Sequence, residues 1–241
     1  MSLNLKIEKA KIFPSPVLAG ITKKNASAHF PNGISFHSIQ NKKGQVANIE
    51  ILSQALGISP DGLKFQNQTH SDIVRLVGKD SKIENSDALI SSEKALCLCV
   101  KIADCCGILL YDKGSQAIAS IHSGWRGTAQ NITEKCIQKM AYHFDTRAEN
   151  LLAYISPCGS ACCYEVGADV ARFFPSSIKQ ISEEKYLLDL KNEVKNQMLN
   201  AGILEENIEI SKDCTICNPD YHSYRRDKEN SGRGLAFIVM I

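Results

Sequence analysis

The sequence predicts an α+β fold, in which layers of mixed β-sheet carry packed helices. Three observations lead there. Strand-like apolar runs arrive in groups, without the strict strand–helix alternation of a doubly wound sheet. Several stretches carry the 3.6-residue apolar period of amphipathic helices. The 241 residues are 44% apolar and 22% charged, an ordinary globular composition with length for one large domain or two small ones.

The elements follow in order. The N-terminal part, to about Lys43, reads as strand-like pieces punctuated by Pro14, Pro16, Gly20, Pro31 and Gly33. In VANIEILSQALG (46–57), Val46, Ile49, Leu52 and Leu56 form a helical stripe that Gly57 stops. Strands are expected in LKFQNQ, DIVRLV, ALCLCVKI, GILLYD and QAIASIH, broken by Gly, Asn and Asp. TAQNITEKCIQKMAYHF puts Ala129, Ile132, Cys136, Met140 and Phe144 on one stripe, so a helix follows the strand that ends near His122. NLLAYISP reads as a strand, GADVARFF and LLDLKNEVKNQMLNAG as helices, and GLAFIVMI as a final buried strand.

Composition excludes several classes of function. A formal charge of +2 offers no basic footprint for nucleic acid. No apolar stretch approaches the roughly 20 residues that span a bilayer, and the N-terminal MSLNLKIEKAKIFPSP lacks the apolar core of a signal peptide, so a cytoplasmic protein is expected. Ten cysteines are then reduced thiols, some buried and some free to bind metal. Neither glycine-rich nucleotide fingerprint is present.

The residues able to carry chemistry fall at strand ends. The six histidines are His29, His37, His70, His122, His143 and His222. His70 lies between two expected strands, Asp104 and Cys105 at the break in KIADCCGILLYD, and His122 at the end of IASIH. Two imidazoles and a thiolate make three ligands of a tetrahedral zinc with one open position, the arrangement that supports catalysis. A fourth ligand such as Cys106 would close it, but alternation along a strand turns Cys106 the other way. CTIC (214–217) has the spacing of half a structural zinc site that Cys162 and Cys163 could complete; with no second C-x-x-C, the reading is two small buried cysteines beside the Asn218–Pro219 turn. Arg225, Arg226 and Arg233 gather in SYRRDKENSGRG and, with Arg126, can offer guanidinium forks to a phosphate or carboxylate. If that segment is extended, Arg225 and Arg226 face opposite sides.

Taken together, NQTHSDIV, SDALIS, KIADCCGILLYD, IHSGWRGTAQNI, ISPCGSACCYEVGADV and DCTICNPDYHSYRRDKENSGRG resemble the YfiH/laccase-domain family from about residue 18 onward. This family was long called multicopper polyphenol oxidoreductases. The resemblance implies one α+β domain over residues 1–241, related in architecture to a bacterial cysteine-hydrolase toxin. It implies zinc, with copper able to occupy the site in vitro, on His70, Cys105 and His122, and Arg226 as an anion ligand in the active site. It also implies a purine nucleoside phosphorylase acting on adenosine, inosine or guanosine, and methylthioadenosine, with adenosine deaminase activity; the partners are then purine nucleoside and phosphate. Arg225, Arg126 and Lys23 are further phosphate-binding candidates, and Asp87 and Asp104 the carboxylates for proton transfer. The chain departs from the family where Lys23 or Lys24 replaces an arginine, where Cys106 and Gly107 replace an aliphatic residue and a proline, and in SIQNKKGQVANIE.

Histidine supply decides against phenol oxidation, since a multicopper centre needs a histidine-rich cluster besides one Cys–His site, and two of six histidines are already engaged. Two other readings stand: a cysteine or zinc hydrolase acting on a small substrate such as a cell-wall precursor, and a zinc-stabilised binding protein without catalysis.

Overall fold

A computed structural model describes residues 5–25, 33–36 and 42–241; Pro31, His29 and His37 lie outside them. The chain opens with β1 (Ile7–Lys9), β2 (Val17–Thr22) and α1 (Lys42–Leu56), followed by β3 (Leu63–Lys64), β4 (Val74–Leu76) and β5 (Ala88–Ser91). The central strands are β6 (Cys97–Ile102) and the hairpin of β7 (Cys106–Asp112) and β8 (Ile118–Ser123), leading into α2 (Trp125–Ala129) and α3 (Ile132–Phe144). Then come β9 (Leu151–Ile155), β10 (Glu165–Gly167), α4 (Ala168–Ala171), β11 (Ile178–Gln180), β12 (Lys185–Leu188) and α5 (Leu190–Asn200). The chain closes with β13 (Ile208–Ile210), α6 (Tyr224–Asp227) and β14 (Gly234–Met240).

Two mixed sheets stack face to face between helical layers. One has the order β1-β2-β14-β6-β3 and the other β13-β9-β7-β8-β5-β4, with a small sheet β10-β12-β11 to the side. The apolar runs that look featureless in sequence are sorted by the strand's period of two. Along β14, Ala236, Ile238 and Met240 enter the core between the sheets, whereas Leu235, Phe237 and Val239 face Leu52 and Leu56 of α1. Along β7, Leu109 and Tyr111 point between the sheets, and Cys106, Ile108 and Leu110 point to the core under α3 and α5. The sheets approach closely at Gly107, where a Cβ would stand 2.7 Å from that of Ala236. That contact accounts for a glycine there.

Several expected elements change. The helix expected from Thr128 to Phe144 breaks in two, because Asn131 takes a left-handed conformation with φ of 58°, which asparagine tolerates. Leu187 and Leu188 belong to β12, and α5 starts only after Asp189, whose carboxylate caps it by accepting from Asn192 N at 3.0 Å. GADVARFF forms a single turn, and LKFQNQ contributes only Leu63–Lys64. On α1, Val46 is exposed and Asn48 is buried instead, its amide donating to Ser35 O at 2.7 Å.

His222 ties the N-terminal segment to the tail. Its Nε2 donates to Ile34 O at 2.8 Å, while Nδ1 is buried without a partner among the described residues. Burial, aided by Lys24 and Arg233, pushes its pKa down to about 4 against the pull of the Ile34 carbonyl. The unfolded chain therefore takes up this proton first as pH falls. Stability from the neutral ring is complete above about pH 6.5 and drains away toward pH 4, at most about 3 kcal/mol. Urea midpoints of the parent should accordingly drop over that range more steeply than those of His222→Gln; parallel curves would refute it.

Candidate metal centre and cleft

Three strand ends meet at one side of the six-stranded sheet. Cys105 precedes β7 and His122 lies near the end of β8, with Gly107 and His122 paired across the ladder. His70 arrives from the loop before β4. The ligand atoms of His70, Cys105 and His122 all lie within 4.8 Å of one another, and the two rings meet edge-on with centroids 4.9 Å apart. Gly124 leaves room for them, since a Cβ there would lie 2.9 Å from Cys105 Sγ. Cys106 turns inward, 3.1 Å from Cys158 Sγ.

The buried Asp87 carboxylate organises this centre. It accepts from His122 Nδ1 at 2.7 Å, from the backbone N–H groups of Thr69 and His70 at 3.1 Å, and from Ser71 N at 2.7 Å. The His122 proton is thus fixed on Nδ1, leaving Nε2 free to ligate. His70 sits at a φ of 58°, a left-handed conformation uncommon for non-glycine residues. Although burial opposes ionisation of Asp87, the bonds from His122 and Ser71 hold its pKa well below the usual carboxylate range. Burial would raise the Cys105 pKa, but His122 and His70 bring it down to about 6. Likewise, burial opposes a charge on His122, whereas Cys105 and Asp87 raise its pKa to about 9. Both shifts draw negative charge onto the sulfur and positive charge onto the ring. An N₂S donor set with a free Nε2 and an anionic sulfur fits a tetrahedral, borderline-soft metal ion.

The trio opens onto a cleft of about 660 Å³ lined also by Gln68, Lys101, Trp125, Arg126, Tyr164, Arg225 and Arg233. Arg126 stacks over the Trp125 ring at 4.2 Å, and Arg225 lies 5.5 Å above Tyr164. Burial and the charge of Arg233 lower the Lys101 pKa. Lys101 and Tyr164 escape sequence reasoning. The one trace of Lys101 is a lone charge in the apolar run CLCVKI.

Three assignments need correction. Arg226 does not line the cleft: Nη1 donates to Thr215 O at 2.9 Å, Nη2 to Tyr221 O at 2.9 Å, and Nε to Asp227 at 2.9 Å. The segment is not extended. Ser223 caps a turn of helix by accepting from Arg226 N, and this presents Arg225 to the cleft and Arg226 to the carbonyls of the 215–221 loop. Asp87 is not exposed for proton transfer but lies behind His122. Lys23 is elsewhere, paired with Asp220 at 3.2 Å in a separate small hollow with Lys6 and Lys24. Asp104 does border the cleft, with both oxygens engaged by Thr215 Oγ1 at 2.7 Å and Arg225 N at 2.6 Å.

The family profile described as multi-copper polyphenol oxidoreductase laccase matches residues 26–241. A protein of Clostridium acetobutylicum named purine nucleoside phosphorylase is 36% identical over 213 residues, covering 86% of this chain and 88% of its own. Purine nucleoside phosphorylase YfiH of Shigella flexneri is 30% identical over 195 residues, covering 78% and 77%. The crystal structure of YlmD from Geobacillus stearothermophilus superposes with a TM-score of 0.88 at 25% identity, over 96% of this chain and 94% of that one.

Asp87→Asn removes the negative charge and sets an amide N–H₂ against backbone donors. Metal affinity, read by competition with a chromophoric chelator, should fall about 10–100-fold, the usual effect of losing an orienting carboxylate. Unchanged affinity would mean that Asp87 only packs.

Proposed function

The chain belongs to the multi-copper polyphenol oxidoreductase laccase family, and from that premise we propose that it is a zinc-dependent purine nucleoside phosphorylase, like the relatives so named. The observation that carries the proposal is the grouping of Lys101, Arg126, Arg225 and Arg233 around a three-ligand centre with an open face. Phosphorolysis breaks the bond between C1′ and the purine nitrogen through an oxocarbenium-like state, so phosphate must be gripped beside the sugar. Lys101 and Arg233 oppose each other's charge in a partly desolvated place, and a phosphate between them relieves that repulsion. Trp125 and Tyr164 offer aromatic faces for the base. Zinc on the trio would supply Lewis-acid polarisation of an oxygen, while the side chains bind and orient the reactants.

The proposal does not extend to adenosine deamination. Asp87 and Asp104, the two carboxylates expected to move protons in that reaction, are held by the bonds described. Phenol oxidation has no use for the cations.

Losing one charge-assisted hydrogen bond to phosphate costs about 1.5–3 kcal/mol, roughly 10–100-fold. Lys101→Ala and Arg225→Ala should therefore raise KM for phosphate by about that factor in purine-release assays with inosine, adenosine or methylthioadenosine, at unchanged metal content. Arg226→Ala should instead lower the melting temperature. Zinc-loaded protein that releases no purine base in the presence of phosphate would sink the reading.

A further inference from the structure

A second cysteine cluster lies beside the cleft wall. The Sγ atoms of Cys162, Cys163, Cys214 and Cys217 all fall within 4.8 Å of one another. Cys162 stands 3.6 Å from both Cys217 and Cys163, and Cys163 stands 2.7 Å from Cys217. A tetrahedral zinc with bonds of about 2.3 Å spaces its sulfurs about 3.8 Å apart, which the Cys162 pairs already match and which Cys163 and Cys217 reach by parting by about 1 Å. Backbone contacts assemble the two segments without help from the thiols. A parallel bridge joins Cys158 to Cys214, Thr215 N donates to Cys158 O at 3.0 Å, and Tyr164 N to Ser160 O at 2.8 Å. Ser160 N also donates to Cys214 Sγ at 3.4 Å, the kind of bond that supports a thiolate.

From this geometry we infer that Cys162, Cys163, Cys214 and Cys217 hold a second zinc ion, in a closed four-thiolate site that is structural rather than catalytic. The expectation of two buried cysteines in CTIC is thereby corrected, since Cys217 is exposed. Four sulfurs converge where a disulfide would use two. Among the described residues no other Cys, His, Asp or Glu joins the group, and four ligands leave no open position for substrate. As the ion binds, the thiols release their protons to solvent. Cys162 and Cys217 are exposed, which gives the metal a path in. The Arg226 guanidinium, held on Thr215 O and Ile216 O within the loop, places a positive charge beside a site that is dianionic when filled. The site would brace the cleft wall, because Tyr164 follows Cys163 directly and Thr215 grips Asp104.

The test uses the full chain purified under reducing conditions without chelator, its metals quantified by mass spectrometry and its zinc then exchanged for cobalt. Cys162→Ser/Cys217→Ser should hold one equivalent of zinc less than the parent and lose the intense tetrathiolate cobalt absorption. Cys105→Ser should keep that absorption while losing the other equivalent, so failure of the phosphorylase reading leaves this result untouched. Cys162→Ser alone, at an exposed position, guards against misfolding and should weaken cobalt binding with an unchanged circular dichroism spectrum. Equal metal content in parent and double variant would overturn the inference. So would a parent mass two hydrogens light with a mapped Cys163–Cys217 disulfide, or iron with sulfide in place of zinc.

Discussion

The buried carboxylate of Asp87 is the constraint on which the centre depends. It stands on the chain just before β5, and its own backbone carbonyl accepts from His122 N at 2.7 Å. One residue therefore sets both the strand carrying the second histidine and the tautomer of its ring. Its other bonds wrap the 69–71 loop and hold His70 at a positive φ. An ionised, fully buried carboxylate is costly unless its lone pairs are satisfied. Here the donors that satisfy it are the His122 ring, the His70 backbone and the flanking Thr69 and Ser71, so the energy that offsets burial is the same energy that orders the site.

The layers were legible in the sequence because they rest on periodicity. A strand such as β14, buried on both faces, reads as an unbroken apolar run, and the run alone says that layers lie above and below it. What it does not say is which neighbour covers which face. That follows from register, as with Ala236 beneath Gly107, and register is a long-range property. The helix boundaries failed for local reasons: Asn131 can adopt a left-handed conformation, and Asp189 can cap a helix, yet both residues also occur inside continuous ones.

The grouping of His70, Cys105 and His122 was accessible because strand ends are where a sheet's side chains converge. The arginines were not. Arg225 and Arg226 are chemically identical, and one turn of helix decides that the first meets solvent in the cleft while the second is consumed by carbonyls of residues 215, 216 and 221. A guanidinium with that many acceptors is a staple for the loop, whose loss leaves buried carbonyls unpaired. The segment is helical and not extended because Ser223 is an effective helix cap.

A near-zero net charge hides the electrostatics that matter. The chain as a whole carries +2, yet Lys101, Arg126, Arg225 and Arg233 line one cleft, with Asp104's carboxylate turned onto Thr215 and the Arg225 backbone. Such a concave surface with low-dielectric walls concentrates a positive field at its mouth, so an anionic reactant is drawn in by the cleft and not by the protein's overall charge. The burial that makes this field strong also makes the empty cleft unfavourable, as the lowered Lys101 pKa records. Binding an anion there returns Lys101 toward its ordinary basicity. The cations would thus act twice on any anion that enters, first in attracting it and then in being relieved of mutual repulsion by it.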